Sequence, residues 1–310
     1  MDCLQHLLSA PPTPAEMPDI AAWWAAHLRL AEPADTPIAR AILAGFGAAQ
    51  PGHAFLSGYQ EALAALLGEP GATTRRALCA TETGGNHPRA IETTLSERGG
   101  EAALSGDKRF VTLASEAEVL LVLARSGTHS DGRPALVAVA VPSDRAGVTM
   151  LPAGPRGVAI VPEVPHARCR FEAVSVGPGE RLPGDGYSRY LKPFRSFEDL
   201  HVMAALTAWA LQVGRRAAWP PPDLEAVTAT LAGLHSLSGP ELTQPATHIA
   251  LAGLLRQVRG LLCERDDLWQ RADDGSRVAW ARDRALLDIA QTARARRAEA
   301  AWRQLDAAGA

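Results

Sequence analysis

Apolar and polar positions change rhythm twice along this 310-residue chain. From about residue 15 to 68 the apolar residues recur at helical spacing, as at Tyr59, Leu63, Leu66 and Leu67. Breaks at Pro33, Pro37, Pro51-Gly52 and Pro70-Gly71 divide this stretch into a few short helices. From about 77 to 180 the rhythm shortens. Residues 119–124 and 135–141 are near-continuous aliphatic runs, as in strands buried on both faces, and 168–176 alternates with a period of two. Residues 102–112 predict two strands around a turn at Ser105-Gly106-Asp107. Beyond about 185 helical spacing returns, with candidate helices at 196–218, 223–236, 243–271 and 276–306. In the last of these, Leu286, Ile289, Ala293, Ala300 and Leu305 form the expected apolar stripe, and the arginines between them read as a solvated face. The expected fold class is therefore α+β and multidomain. Its parts are N-terminal helices over 1–75, a central antiparallel β barrel or sandwich over 76–184, and a C-terminal four-helix bundle over 185–310.

Composition narrows the function classes. Thirty-one Lys and Arg stand against 34 Asp and Glu, a net charge of −3, which excludes the basic excess on which nucleic-acid binding rests. With 47% hydrophobic and 21% charged residues the chain can bury a core, and with 5% aromatics Ala and Leu must do most of the packing. No apolar run is long enough to span a bilayer, and the first residues lack the basic and apolar regions of a signal peptide, so a cytoplasmic setting is expected. Cys3, Cys79, Cys169 and Cys263 are scattered and form no CxxC pair, so neither a disulfide framework nor a metal site is expected. Nucleophile-elbow, Walker A, zinc-helix and EF-hand patterns are all missing. The run from Gly45 to Gln50 starts like a dinucleotide fingerprint but lacks its third glycine, and reads as an inter-helix turn. His201, on a helix beside acidic residues, reads as structural.

One stretch carries more. Cys79-Ala-Thr-Glu-Thr-Gly-Gly-Asn-His87 is followed by Ile91-Glu-Thr-Thr-Leu95, then by Gly99-Gly-Glu-Ala-Ala-Leu-Ser-Gly-Asp-Lys-Arg-Phe-Val-Thr112 and an aliphatic run ending at Ala124-Arg125. In this order they resemble the middle β domain of the acyl-CoA dehydrogenase family, with its Thr-Glu-Pro-x-x-Gly-Ser-Asp loop and its Gly-Gly-x-x-Leu-x-Gly-x-Lys-x-aromatic-hydrophobic-Thr hairpin. Phe171-Glu-Ala-Val-Ser-Val176 is similar to the family's next strand, and Gly184-Asp-Gly-Tyr187 to its entry into the C-terminal helices. The resemblance covers residues from about 75 to 215. It implies a shortened member of that fold with FAD as cofactor, α,β-dehydrogenation of an acyl-CoA thioester, and assembly as a homo-oligomer or with a longer homologous subunit. It also implies roles. Leu78, Ala80 and Thr81 would lie along the flavin ring, Phe110 would flank it, and the Thr112 hydroxyl would point at N5. Asn86 and His87 stand where the family has the Gly-Ser that contacts the pyrophosphate. The plainer alternative is that Phe110 fills the core and Thr112 ends a strand.

The sequence also departs from that pattern. Thr83 replaces the loop proline, and Arg215-Arg216-Ala-Ala-Trp219 runs into Pro220 where the family has an Arg-x-x-Phe-Gly element that grips a neighbouring subunit's FAD. Arg215 or Arg216 is the candidate substitute. The Tyr-Glu-Gly-Thr segment that supplies most members' catalytic base is missing, and the alternative position on the first C-terminal helix falls on Asp199, with Glu198 beside it. The competing reading makes these two an acidic first helical turn at the positive end of the helix dipole. Two other functions stay open: a non-catalytic module that binds acyl-CoA or a subunit, and a flavin monooxygenase or oxidase on the same fold.

Overall fold

The computed structural model describes residues 3–85, 87–153 and 160–309, in which seven strands follow one set of helices along the chain and precede another. The chain divides into two units, one helical (Met1–Ala72, Ala159–Glu163 and Ser196–Ala310) and one built on the sheet (Thr73–Val158 and Val164–Arg195).

The helical unit starts with α1 (Cys3–Ser9), α2 (Ile20–Ala31), α3 (Pro37–Phe46) and α4 (Pro51–Leu67). Local chemistry sets their ends. The Asp19 carboxylate accepts the Ala22 N–H at 2.8 Å, Pro37 and Pro51 open α3 and α4, and Gly68 closes α4 in the left-handed region at φ 71°. After the sheet come α5 (Lys192–Arg216), α6 (Pro221–Ser236), α7 (Pro245–Cys263), α8 (Asp266–Trp269), α9 (Asp274–Asp283) and α10 (Gln291–Gly309). α5 is the axis of the unit, buried without interruption over residues 199–214. Two glycines bring other helices onto its backbone. A Cβ at Gly45 of α3 would lie 2.4 Å from the Ala205 carbonyl oxygen, and one at Gly58 of α4 would lie 2.5 Å from the Val202 Cα. Gly45 therefore belongs to a helix crossing, and the turn expected there begins only at Gly47.

The four long C-terminal helices expected from spacing are corrected in two places. The 243–271 run breaks after Cys263, where the Leu262 carbonyl accepts the indole N–H of Trp269 at 2.8 Å and that of Trp280 at 3.0 Å. Those rings stack with centroids 4.8 Å apart, and Trp269 also stacks on Trp209 of α5 at 5.5 Å. Burying this aromatic cluster gains more than one further turn of α7 would. The 276–306 run breaks at a 3-10 turn, Arg284–Asp288, which shifts the phase of α10. Leu286 of the expected stripe is buried, but beyond it the stripe turns outward, with Ile289 67% and Leu305 40% exposed, while Arg294 and Arg297, expected in solvent, turn inward.

The sheet unit contains β1 (Arg76–Cys79), β2 (Thr94–Arg98), β3 (Glu101–Thr112), β4 (Val119–Thr128), β5 (Pro134–Pro142), β6 (Val148–Pro152) and β7 (His166–Val176). Their order is β1-β4-β2-β3-β7-β6, with β5 also on β4. The sheet is mixed rather than wholly antiparallel, because β1 pairs with β4 in parallel, as does Thr94 of β2 with Arg125. These strands are not hairpin neighbours, and their longer connections allow both to run the same way. The hairpin between β2 and β3 turns at Gly99-Gly100, with φ 61° and 87°, and not at Ser105–Asp107. There β3 continues through Gly106, φ 150°, where a Cβ would meet Thr93 Oγ1 at 2.4 Å, and the bulge lies on the facing strand β7, whose Glu172 and Ala173 together oppose Ser105. Leu104, Leu120, Val122, Val139, Phe171 and Val174 form the core beneath. Among the described residues no helix is long and apolar enough to cross a membrane.

Three histidines, His27, His53 and His201, are buried in the helical core. Burial pushes His53 down to about 4, and burial likewise takes His201 to about 4 despite the Phe197 carbonyl and the Glu61 charge. Both are neutral in the folded chain at pH 7, whereas the unfolded chain protonates them near 6.5. The unfolded state thus binds more protons between these values, and stability falls as pH falls through that window. Each of these two is expected to cost about 3 kcal/mol on going from pH 7 to pH 4. Urea unfolding followed by tryptophan fluorescence should show this loss, reduced by about half in His201→Asn.

Candidate functional site

Lys108 lies on β3 with no exposed side-chain surface. Its Nζ donates to Glu82 Oε1 at 2.6 Å and to the Leu123 carbonyl on β4 at 2.6 Å. Glu82, in the loop after β1, also accepts the Glu92 N–H at 2.7 Å and the Thr93 N–H at 3.1 Å. Burial alone would raise the Glu82 carboxyl, but the Lys108 charge and these donors together hold it below the usual carboxylate range. Burial lowers the Lys108 ammonium, and Glu82 offsets part of that. One ion pair thus joins the loop after β1, the approach to β2, β3 and β4.

Just beyond Lys108 the ladder between β3 and β7 slips. Lys108 pairs with Cys169 and Val111 with Ala167, so Arg109 and Phe110 share one opposing residue. The Arg109 N–H leaves the ladder and donates to the Thr81 carbonyl at 2.7 Å. Phe110 takes φ 54° and Leu113, three residues on, φ 62°. Left-handed backbone of this kind costs about 1–3 kcal/mol per non-glycine residue and collects at functional sites. Its effect here is to swing the Phe110 ring outward, 45% exposed, which overturns the reading of Phe110 as core filler. Thr112 ends β3 half-buried, its Oγ1 3.3 Å from His166 Nε2. Thr81, Phe110 and Thr112 are therefore gathered by the same strand end, with Leu78 half-buried on β1 and Ala80 buried next to it. An exposed ring, a hydroxyl and edge backbone groups can seat a flat heterocycle with polar margins.

His87 is placed elsewhere in the unit. Its Nδ1 accepts the Arg89 N–H at 3.2 Å, and it stands in the wall of a groove of about 790 Å³ with Arg89, His129, Arg133 and Lys192. The one carboxylate of that wall, Asp185, is occupied by the Ser188 N–H and hydroxyl, both at 2.7 Å. Arg133 is itself paired with Asp131 Oδ2 at 2.6 Å, so it is Arg89 and Lys192 against Asp185 that leave the groove a small positive excess for an anionic group. Asn86 lies outside the described residues.

In the helical unit Asp199 is buried and held at both oxygens, Oδ1 by Arg294 Nε at 2.8 Å and Oδ2 by Arg297 Nη2 at 2.5 Å. Helix α5 starts at Lys192, so Glu198 and Asp199 lie well inside it and are no first turn. Glu198 is half-buried. Arg215 donates to the Leu7 carbonyl and, at 2.7 Å, to that of Ala10, while Arg216 reaches Asp273 and Ser276, each at 3.1 Å. Both arginines tie parts of the helical unit together. Sequence reasoning missed the partners of Asp199, the Thr112–His166 contact and the Lys108–Glu82 pair.

Residues 77–174 match the family model described as acyl-CoA dehydrogenase, middle domain. Among solved structures, butyryl-CoA dehydrogenase from Megasphaera elsdenii is similar at TM-score 0.65 and 15% identity, covering 97% of this chain and 98% of that one. The protein described as PigA with FAD and proline is similar at TM-score 0.65 and 13% identity, covering 98% and 92%. The prolyl acyl carrier protein oxidase AnaB is similar at TM-score 0.59 and 14% identity, covering 96% and 91%. No curated protein matches the sequence. At such identities the structural likeness shows the fold.

Replacing Glu82 by Gln leaves the Lys108 ammonium buried without its counter-charge, a change that costs about 3–5 kcal/mol. Urea unfolding of Glu82→Gln should show a loss of that size, and the double variant with Lys108→Met should recover most of it. Equal losses in the single and double variants would contradict the pairing.

Proposed function

We propose that this acyl-CoA dehydrogenase-like chain is an FAD-dependent oxidoreductase acting on an acyl thioester. The outward ring of Phe110, held at a strained φ of 54° beside Thr81 and Thr112, is the observation that carries the reading. A side chain that only filled the core would be buried, and this ring is not. The residues fit a flavin, since Phe110 offers an apolar face, and Thr112 with the loop after β1 offers polar atoms to its edge. FAD, when bound, supplies a two-electron acceptor at N5.

The chain's own residues would do the rest. Phe110 and Leu78 keep water from the ring face, and Thr81 fixes the loop through its bond to Arg109. The groove of His87, Arg89, Arg133 and Lys192 takes the phosphate-bearing end of the thioester's carrier, whether coenzyme A or a phosphopantetheine arm. Of the two carboxylates on α5, Asp199 serves as the strut that holds α10, and Glu198 accepts the α-proton, which the thioester makes acidic. The double arginine grip on Asp199 supports one second reading: a relative that binds flavin and thioester without dehydrogenating.

The flavin spectrum of purified chain, and its bleaching by acyl-CoA or acylated carrier protein without oxygen, test these readings. The enzyme reading expects uptake of FAD and bleaching that slows about 10²–10⁴-fold in Glu198→Gln. Arg89→Ala with Arg133→Ala should weaken thioester binding about tenfold or more at low salt and leave flavin uptake intact. Uptake with no bleaching by either thioester would establish the second reading, and protein that ignores FAD would overturn both.

A further inference from the structure

Thr112 and His166 face each other across β3 and β7 as the last ladder pair. His166 Nδ1 lies 3.0 Å from the Val164 carbonyl oxygen. A carbonyl only accepts, so Nδ1 carries the proton, and in the neutral ring Nε2 is left with a lone pair. Nε2 is the atom 3.3 Å from Thr112 Oγ1. With the ring neutral, the bond between them runs from the Thr112 hydroxyl as donor to His166 as acceptor. A threonine hydroxyl has a single proton, so once it is committed to His166, Oγ1 offers only lone pairs to its other side. The pair is fixed in place, because the Leu113 N–H donates to the Pro165 carbonyl at 2.7 Å and Leu113 is held at φ 62°.

We infer that His166 is a positioning residue that turns Thr112 from a hydrogen-bond donor into an acceptor. Resting on the flavin reading above, this has a redox consequence. N5 of the oxidised ring is an acceptor, and after uptake of two electrons and a proton it is an N–H donor. An acceptor at Oγ1 opposes the first state and bonds to the second. The chain therefore favours the reduced ring, and the bound flavin has a higher two-electron potential than it would with Thr112 free to donate. The residue that sets this is a histidine on the neighbouring strand that need not touch the flavin itself.

Two measurements test the inference. Long-range proton–nitrogen correlation of the flavin-free chain labelled with [¹⁵N]histidine should show His166 protonated at Nδ1 and bare at Nε2 at neutral pH. A ring protonated at Nε2 overturns the inference whether or not flavin binds. Reductive titration of flavin-loaded chain against reference dyes gives the second readout. His166→Leu frees the Thr112 proton, and the reduced-to-oxidised ratio at a given poise should fall about tenfold, about 30 mV for a two-electron couple. In a Thr112→Val background the same substitution should shift nothing. A shift that persists without the hydroxyl, or no shift with it, overturns the inference. Failure of every variant to take up flavin overturns the flavin reading instead, and the nitrogen spectrum still decides the pair.

Discussion

A lysine with no solvent contact stays in a folded core only if something replaces its hydration, and here the Glu82 carboxylate and the Leu123 carbonyl do so. The rest of the sheet unit follows from where those partners lie. Glu82 can reach Lys108 only if the loop after β1 folds back over the sheet, and in that position it also collects the Glu92 and Thr93 amides at the entry to β2. The missing side chain of Gly106, two residues before Lys108, is what lets Thr93 approach so closely. The slip in the ladder immediately after Lys108 sends the Arg109 amide to Thr81 and the Phe110 ring outward. The polar pair is thus less a source of net stability than a device for placing a loop and a strand end, since well-packed apolar residues could match its free energy.

The helical unit uses a different constraint. Gly45 and Gly58 let two helices lie on α5 with almost no side chain between them, and Asp199 and His201 on that stretch of α5 are buried. Polar groups on the axis must then find partners within the unit. Asp199 finds two guanidinium groups on α10, reached because the turn before α10 rotates that helix by part of a turn. An acid that would look available on an isolated helix is thereby a cross-helix tie.

The legible part of this chain was its short-range pattern. Runs at 119–124 and 135–141 became β4 and β5, paired with Val122 opposite Val139, and the ordered motifs between Cys79 and Thr112 pointed to the middle-domain fold. What stayed hidden depends on contacts between residues far apart in sequence. Nothing near 243–271 announces that Trp269 and Trp280 will both claim the carbonyl of Leu262, the last residue but one of α7. Glycine has two uses that look alike in sequence: Gly99-Gly100 makes a turn while Gly106 makes room within a strand, and only the neighbour at Thr93 tells them apart. The Thr112–His166 contact joins positions 54 apart, and no local rule connects them.

The places where local rules fail are themselves informative. Phe110 and Leu113 are bulky residues in a backbone region that favours glycine, and they bracket Thr112 within four positions of one strand end. Glycine at either position would relieve the strain. At 110, however, it would remove the exposed ring, and at 113 it would remove a fully buried side chain that anchors the strand end. The strain is held by the buried pair on one side and by the Leu113–Pro165 hydrogen bond on the other, so the segment between them cannot relax into a regular ladder. A regular ladder would turn Phe110 inward and put Thr112 out of phase with His166, because a shift of one residue exchanges the faces of a strand. The exposed ring and the directed hydroxyl are therefore a single structural fact, and a change that releases one releases the other.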